Sequence, residues 1–259
     1  MKTFTRLLVI ALISFATLTG CDGNGGVAPI PRLPPPSLSG WWGGASKPVI
    51  HGLGHFIDCA VAETMELNCR LGTINQGFHS AIQATVQING SEVTGTGKFY
   101  AAPGTTLPDG STVADLTISD GRVREGISLN LTIDAAGVSF SASFNYNALI
   151  HDRGSDLATV AGNYLRFDIY GDPASFSVNA NGVITSQSNS GCVGNGQISI
   201  IDANFNVYDV TLDLTSCGAL DGIYDGLGLT SFSSDPAANN IFVFDVFTSQ
   251  SVIDAAAVK

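Results

Sequence analysis

Apolar and polar residues alternate with a period of two along much of this chain. At 127–134, Ile127, Leu129, Leu131 and Ile133 alternate with Ser128, Asn130, Thr132 and Asp134. At 138–146, Val138, Phe140, Ala142, Phe144 and Tyr146 alternate with Ser139, Ser141, Ser143 and Asn145. Ile82/Ala84/Val86/Ile88 and Tyr208/Val210/Leu212/Leu214 repeat the pattern, the latter with Asp209, Thr211 and Asp213 on the polar side. This period puts each set on its own face of a strand, so these runs predict strands with one buried face, an arrangement typical of antiparallel sheet. Asn89-Gly90, Asp109-Gly110, Asp120-Gly121, Asn181-Gly182 and Asp221-Gly222 lie between the runs and accept the positive φ of tight turns. Strands joined in this way predict an all-β antiparallel meander closing into one or two β-barrel or sandwich units. Only Asp58 to Leu67 predicts a helix, from Ala60, Ala62, Glu63, Met65 and Glu66, and a strand competes with that reading. There is no βαβ spacing and no Gly-rich phosphate loop, which excludes the nucleotide-binding α/β folds.

From Ser39 to the end there are 221 residues, enough for one large domain or two of about 100 each. Two similar openings, Ser39-Gly40-Trp41-Trp42 and Ala161-Gly162-Asn163-Tyr164, each precede a run of strands and suggest units at 39–150 and 157–259. The polar stretch Asn147 to Asp156 is the expected seam.

The N-terminus adds location. Lys2 and Arg6 precede a twelve-residue apolar run, Leu7 to Leu18, too short for a membrane helix of ~20 residues and right for a secretory signal peptide at 1–20. Leu18-Thr19-Gly20-Cys21 resembles the lipobox of bacterial lipoproteins, which implies cleavage before Cys21 and lipidation of its sulfur. Several acyl chains, each CH2 worth ~0.8 kcal/mol, make a stable anchor. Residues 21–38 are Gly-rich and then Pro-rich, a tether reaching up to roughly 50 Å at ~3.1 Å per residue. The resemblance implies a Gram-negative cell envelope, with the outer membrane favoured. Asp22 stands where enterobacterial lipoproteins carry an inner-membrane retention signal, which keeps that membrane in play.

Charge narrows the partners. The chain has 11 basic and 22 acidic residues. Cleavage after residue 20 would remove two bases and no acid, leaving 9 against 22, a net charge of −13. Beyond residue 154 only Arg166 and Lys259 oppose eleven Asp. Nucleic acid is therefore not an expected partner, because phosphate neutralisation needs clustered Lys and Arg. The expected partners are the membrane, through the anchor, and a protein or small-molecule ligand.

With Cys21 lipidated, four cysteines remain, the even count expected of disulfides outside the cytoplasm. Three pairings are open. The expected one joins Cys59 to Cys69 and Cys192 to Cys217, each closing a short segment and contributing about 3 and about 3.5 kcal/mol on the loop-entropy model. Neither pair has Cys-x-x-Cys spacing, so zinc is not expected. His51 and His55, followed by Asp58, could supply metal ligands, but Gly52 and Gly54 argue against the helix that would align them, and an exposed loop is expected. Asp202, Asn204 and Asn206 imitate the first ligands of a calcium loop, yet Val207 occupies the Gly position and no closing Glu follows, so a hairpin turn is expected. No Gly-x-Ser-x-Gly, Ser-x-x-Lys or free thiol appears, and neither catalytic residues nor a cofactor are expected. Trp41 and Trp42 are the only tryptophans and point to opposite strand faces. One is core, and the other is either covered by the first unit or part of a binding surface.

Two further resemblances bear on the body. Gly40-Trp41-Trp42 is similar to the Gly-x-Trp of lipocalin-like barrels, in which the tryptophan closes one end. Gly191-Cys192, Gly196-Gln197-Ile198-Ser199-Ile200-Ile201-Asp202, Asn206-Val207-Tyr208, Cys217-Gly218 and Gly222-Ile223-Tyr224-Asp225-Gly226 resemble a pattern in uncharacterised proteobacterial lipoproteins. That implies the class and no mechanism. The resulting expectation is a lipid-anchored envelope protein with a non-catalytic binding role. An assembly accessory and a surface-displayed host-factor binder are the alternatives.

Overall fold

The computed structural model describes residues 37–47, 56–73, 77–167, 173–188, 190–231 and 240–259. Cys21, Asp22, His51 and His55 lie outside the described residues. The described chain builds two closed antiparallel barrels of eight strands each. The first comprises β1 (Gly40–Lys47), β2 (Phe56–Val61), β3 (Glu66–Thr73), β4 (Gly77–Asn89), β5 (Glu92–Ala101), β6 (Val113–Arg124), β7 (Ser128–Ala135) and β8 (Val138–Tyr146). Two single-turn helices, α1 (Ala148–His151) and α2 (Leu157–Val160), lead to the second. That barrel comprises β9 (Gly162–Phe167), β10 (Pro173–Val178), β11 (Val183–Gln187), β12 (Val193–Ile200), β13 (Tyr208–Thr215), β14 (Gly222–Thr230), β15 (Ile241–Phe247) and β16 (Val252–Val258). In each, every strand pairs with the next and the last closes on the first: β8 on β1, and β16 on β9. The all-β meander is thus as the alternation predicts.

Three local expectations are corrected. Asp58 to Leu67 is a hairpin, not a helix. β2 and β3 pair with Cys59 opposite Cys69, and Met65 turns the chain at φ 67°. Sheet pairing overrides the helix-forming tendency of the Ala and Glu residues. Asp120-Gly121 lies within β6 at a register shift, where a Cβ on Gly121 would come within 2.6 Å of the Val93 carbonyl oxygen. It marks a bulge rather than a turn. The turn comes later, at Gly126 with φ 62°, which leaves Ile127 outside β7 and 53% exposed.

Both interiors are filled, as expected for eight-stranded barrels, whose lumen is about as wide as the side chains within it. Trp42, Phe99, Phe140 and Phe144 are buried inside the first barrel, together with the Cys59–Cys69 disulfide. Trp42 donates its indole N–H to the Leu38 carbonyl (2.9 Å) and packs edge-on to Tyr146. In the second barrel Tyr164 stacks on Phe176, Phe176 meets Phe244 edge-on, and Tyr208 meets Phe242 edge-on. The buried tyrosine hydroxyls find partners near the barrel ends: Tyr164 donates to Val160 O (2.7 Å) and Tyr224 to Leu220 O (3.0 Å). A second disulfide, Cys192–Cys217, joins the chain just before β12 to the chain just after β13.

The barrels meet on strand faces that point away from their own interiors. Trp41, Ala60 and Ala62 pack against Val207, Leu227, Leu229 and Val243. Ala81 and Tyr100 pack against Phe247 and Val252. From Gly226 onward β14 is therefore buried on both faces, as is β15, with Phe242, Phe244 and Val246 pointing inward and Leu227, Leu229 and Val243 outward.

Candidate functional site

The tryptophans divide as neighbours on a strand must. Trp42 is fully buried inside the first barrel, and Trp41 faces the other way, 9% exposed. Its cover comes from Ala60 and Ala62 of the first unit and from Val207, Leu227, Leu229 and Val243 of the second barrel, so neither ring offers a free recognition surface. The imitation calcium loop is a turn. The Asp202 side chain accepts hydrogen bonds from the backbone and side-chain N–H groups of Asn204 (2.8 and 2.9 Å). Asn206 is buried and makes four bonds: Nδ2 donates to Ile150 O (3.0 Å) and Thr230 O (2.8 Å), and Oδ1 accepts from Thr230 N (3.2 Å) and Thr230 Oγ1 (2.7 Å). Asp58 on β2 faces Arg70 on β3. Among the described residues no group of three or more His, Cys, Asp or Glu is placed to hold a metal ion.

A cluster with no signal in the sequence occupies the inter-barrel segment. His151 is 1% exposed within a stretch that reads as a polar seam. Its Nε2 lies 3.3 Å from Ser39 Oγ, and its Nδ1 lies 2.7 Å from the Tyr146 hydroxyl and 3.1 Å from Asp152 Oδ1. The Tyr146 hydroxyl also donates to Asp152 Oδ1. These contacts have the order of a Ser–His–Asp relay, but the Ser39 hydrogen is committed elsewhere, donated to Glu63 Oε1 at 2.6 Å. Ser39 itself is only 8% exposed. The imidazole stacks on Phe205, and the His151 carbonyl accepts from Asn206 N (2.9 Å). The cluster therefore clasps the start of β1, the β2–β3 turn and the linker to the β12–β13 loop of the second barrel.

The accessible chemistry lies where the barrels part. A cleft of about 680 Å3 is lined by Gln83 and Tyr100 of the first barrel and by Ile223, Asp225, Phe247 and Thr248 of the second. A second, of about 430 Å3, shares Gln83 and Asp225 and runs past Glu66 and Lys98, so the two are parts of one groove. Gln83 Nε2 reaches Glu66 Oε1 and Asp225 Oδ2, each at 3.4 Å, and so bridges the barrels. Tyr100 donates its hydroxyl to Thr248 O (3.0 Å), and its ring packs on Phe247 with centroids 5.0 Å apart. Burial, with Asp225 nearby, pushes the Tyr100 hydroxyl up to about 12. Burial also raises Glu66 and Asp209, and the negative charge of Asp225 adds to both shifts. Ile223, 71% exposed, stands on the rim.

No family model, curated protein or solved structure matches the chain. The groove is therefore read from its own residues. It was not legible strand by strand, because Gln83, Tyr100 and Asp225 occupy the outward positions that alternation assigns to solvent. One signal was present. Phe242-Val243-Phe244 is apolar at successive positions, the mark of a strand covered on both faces.

Proposed function

We propose that this is a lipid-anchored protein of a Gram-negative envelope, held through Cys21, that acts by binding and presents the inter-barrel groove to a protein partner. The outer membrane is the favoured site and Asp22 leaves the inner membrane as the alternative. The observation that carries the binding role is the groove itself, which both barrels build and which combines carboxylate and amide groups with an exposed apolar rim at Ile223. The filled interiors favour a partner outside the barrels over a small apolar ligand within one. Groups of both chemistries at one concave surface suit a protein segment carrying polar or cationic groups beside an apolar side chain.

The test is site-specific photocrosslinking in cells. A photoreactive residue replacing Ile223 should capture one defined envelope protein. The same residue at Leu149, equally exposed at 71% but outside the groove, should not. Equal capture at both positions, or none at Ile223, would refute the assignment of the groove.

A further inference from the structure

Among the described carboxyl groups whose proton affinity is raised, Asp58, Glu66, Asp209 and Asp245 all belong to the region where the barrels meet. Burial is the leading cause for each. Asp109 and Asp134, held below the usual range by hydrogen bonds from serines, lie on the open surface of the first barrel. The seam thus gathers the groups that favour a bound proton.

Asp245 is the deepest of them. It sits on β15 directly opposite Asp254 on β16, a like-charge cross-strand pair that is destabilising when both are ionised. From the first barrel, β2 presents Asp58 and β3 presents Arg70, whose guanidinium lies 3.7 Å from Asp58 Oδ2 and 3.8 Å from Asp254 Oδ1. Two carboxylates therefore contact this guanidinium, and Asp245 feels only its charge. Asp245 is 8% exposed, and its Oδ1 has no hydrogen-bond donor. A buried carboxylate oxygen with no donor is costly. A proton on Asp245, donated to Asp254, removes the repulsion and turns the deepest oxygen pair into a hydrogen bond. Further along the seam stand the acids Glu66 on β3, Asp209 on β13 and Asp225 on β14, and the cation beside them, Lys98 on β5, is paired with Asp115 at 2.6 Å.

We propose that the seam between the barrels is closed by a proton held on Asp245 and shared with Asp254, and that it loosens when this proton is lost. The direction follows from linkage. A carboxyl group with a raised folded-state pKa contributes its full stabilisation below the unfolded value and loses it as pH rises through the folded value. Acid tightens the seam and alkali loosens it.

Trp41 supplies the readout, because it is buried in the seam while Trp42 is sealed inside a barrel. In the full chain, acrylamide quenching of tryptophan fluorescence should rise as the pH is raised above the ordinary carboxylate range, with the far-UV spectrum unchanged. Asp245→Asn keeps a donor toward Asp254 and cannot ionise, so its quenching should stay at the low-pH level throughout. Asp254→Asn, which removes the like charge and leaves the burial, should move the rise to lower pH, and it decides the matter if Asp245→Asn does not fold. A wild-type protein with no pH dependence, or variants that follow the wild-type curve, would overturn the proposal.

Discussion

Replacing Asn206 by alanine should destabilise the second barrel far more than replacing Asp202 on the same β12–β13 loop. The amide is buried and spends both donors and both acceptor directions on the Ile150 carbonyl and on the N–H, carbonyl and hydroxyl of Thr230. Alanine would leave four buried polar groups without these partners. A typical hydrogen bond contributes about 1 kcal/mol net, and a buried group left unsatisfied costs about 1–3 kcal/mol. Some of the orphaned groups would recover water, because the loop is at the surface, so we expect a loss of about 3–5 kcal/mol. The perturbation also reaches the linker through Ile150 and the end of β14 through Thr230. Equilibrium urea unfolding with the disulfides intact measures it as a fall in midpoint at constant slope. The comparison is Asp202→Ala, which removes only contacts to Asn204 within the same turn and should cost about 1 kcal/mol or less. If Asn206→Ala were no worse than Asp202→Ala, or if added calcium raised the wild-type midpoint through this loop, the reading of Asn206 as a structural tie would be wrong.

Cys21→Ser, which removes the proposed lipid acceptor, should abolish metabolic labelling with palmitate and release the protein from the membrane fraction; retained label would refute the lipobox reading. Gly97→Ala should destabilise the first barrel by more than about 2 kcal/mol in the same urea assay, since the added Cβ would lie 2.1 Å from Gln83 O and 2.5 Å from Ala84 Cα; an unchanged midpoint would mean that β4 and β5 are not paired in this register.

The fold was legible wherever one face of a strand meets water. Leu129, Leu131 and Ile133 alternate with polar residues and point into the barrel, and so do Phe140, Ala142 and Phe144. Legibility failed where a second barrel replaces water. Trp41 could be placed on the face opposite Trp42, but nothing local to it says that Val207, Leu227, Leu229 and Val243 cover that face. The groove is hidden for the same reason: Gln83 and Asp225 are separated by 142 residues and meet only through tertiary packing. His151 misled in the other direction. Its neighbours Asp152, Arg153 and Ser155 give the stretch a polar look, whereas Tyr146 and Phe205 enclose the imidazole. Turn dipeptides were reliable at Asn89-Gly90 and Asn181-Gly182, whose glycines take φ 61° and 79°. They were silent about Ala136-Gly137, where an alanine takes φ 51° at the β7–β8 turn.

The positions of the two disulfides bear on how the chain assembles. Each staples neighbouring strands, across 10 and 25 residues, so each bond needs only its own hairpin and no distant partner. Barrel closure is a different kind of event: β1 must find β8, with Trp42 opposite Tyr146 about a hundred residues later, and no covalent link helps it. Oxidation can therefore be complete while both barrels are still open sheets. Cys59 and Cys69 fix the register of β2 and β3, and with it which side chains face inward. Local thiol pairing of this kind asks little of the chain, and the large loop-closure cost falls on the meeting of the first and last strands.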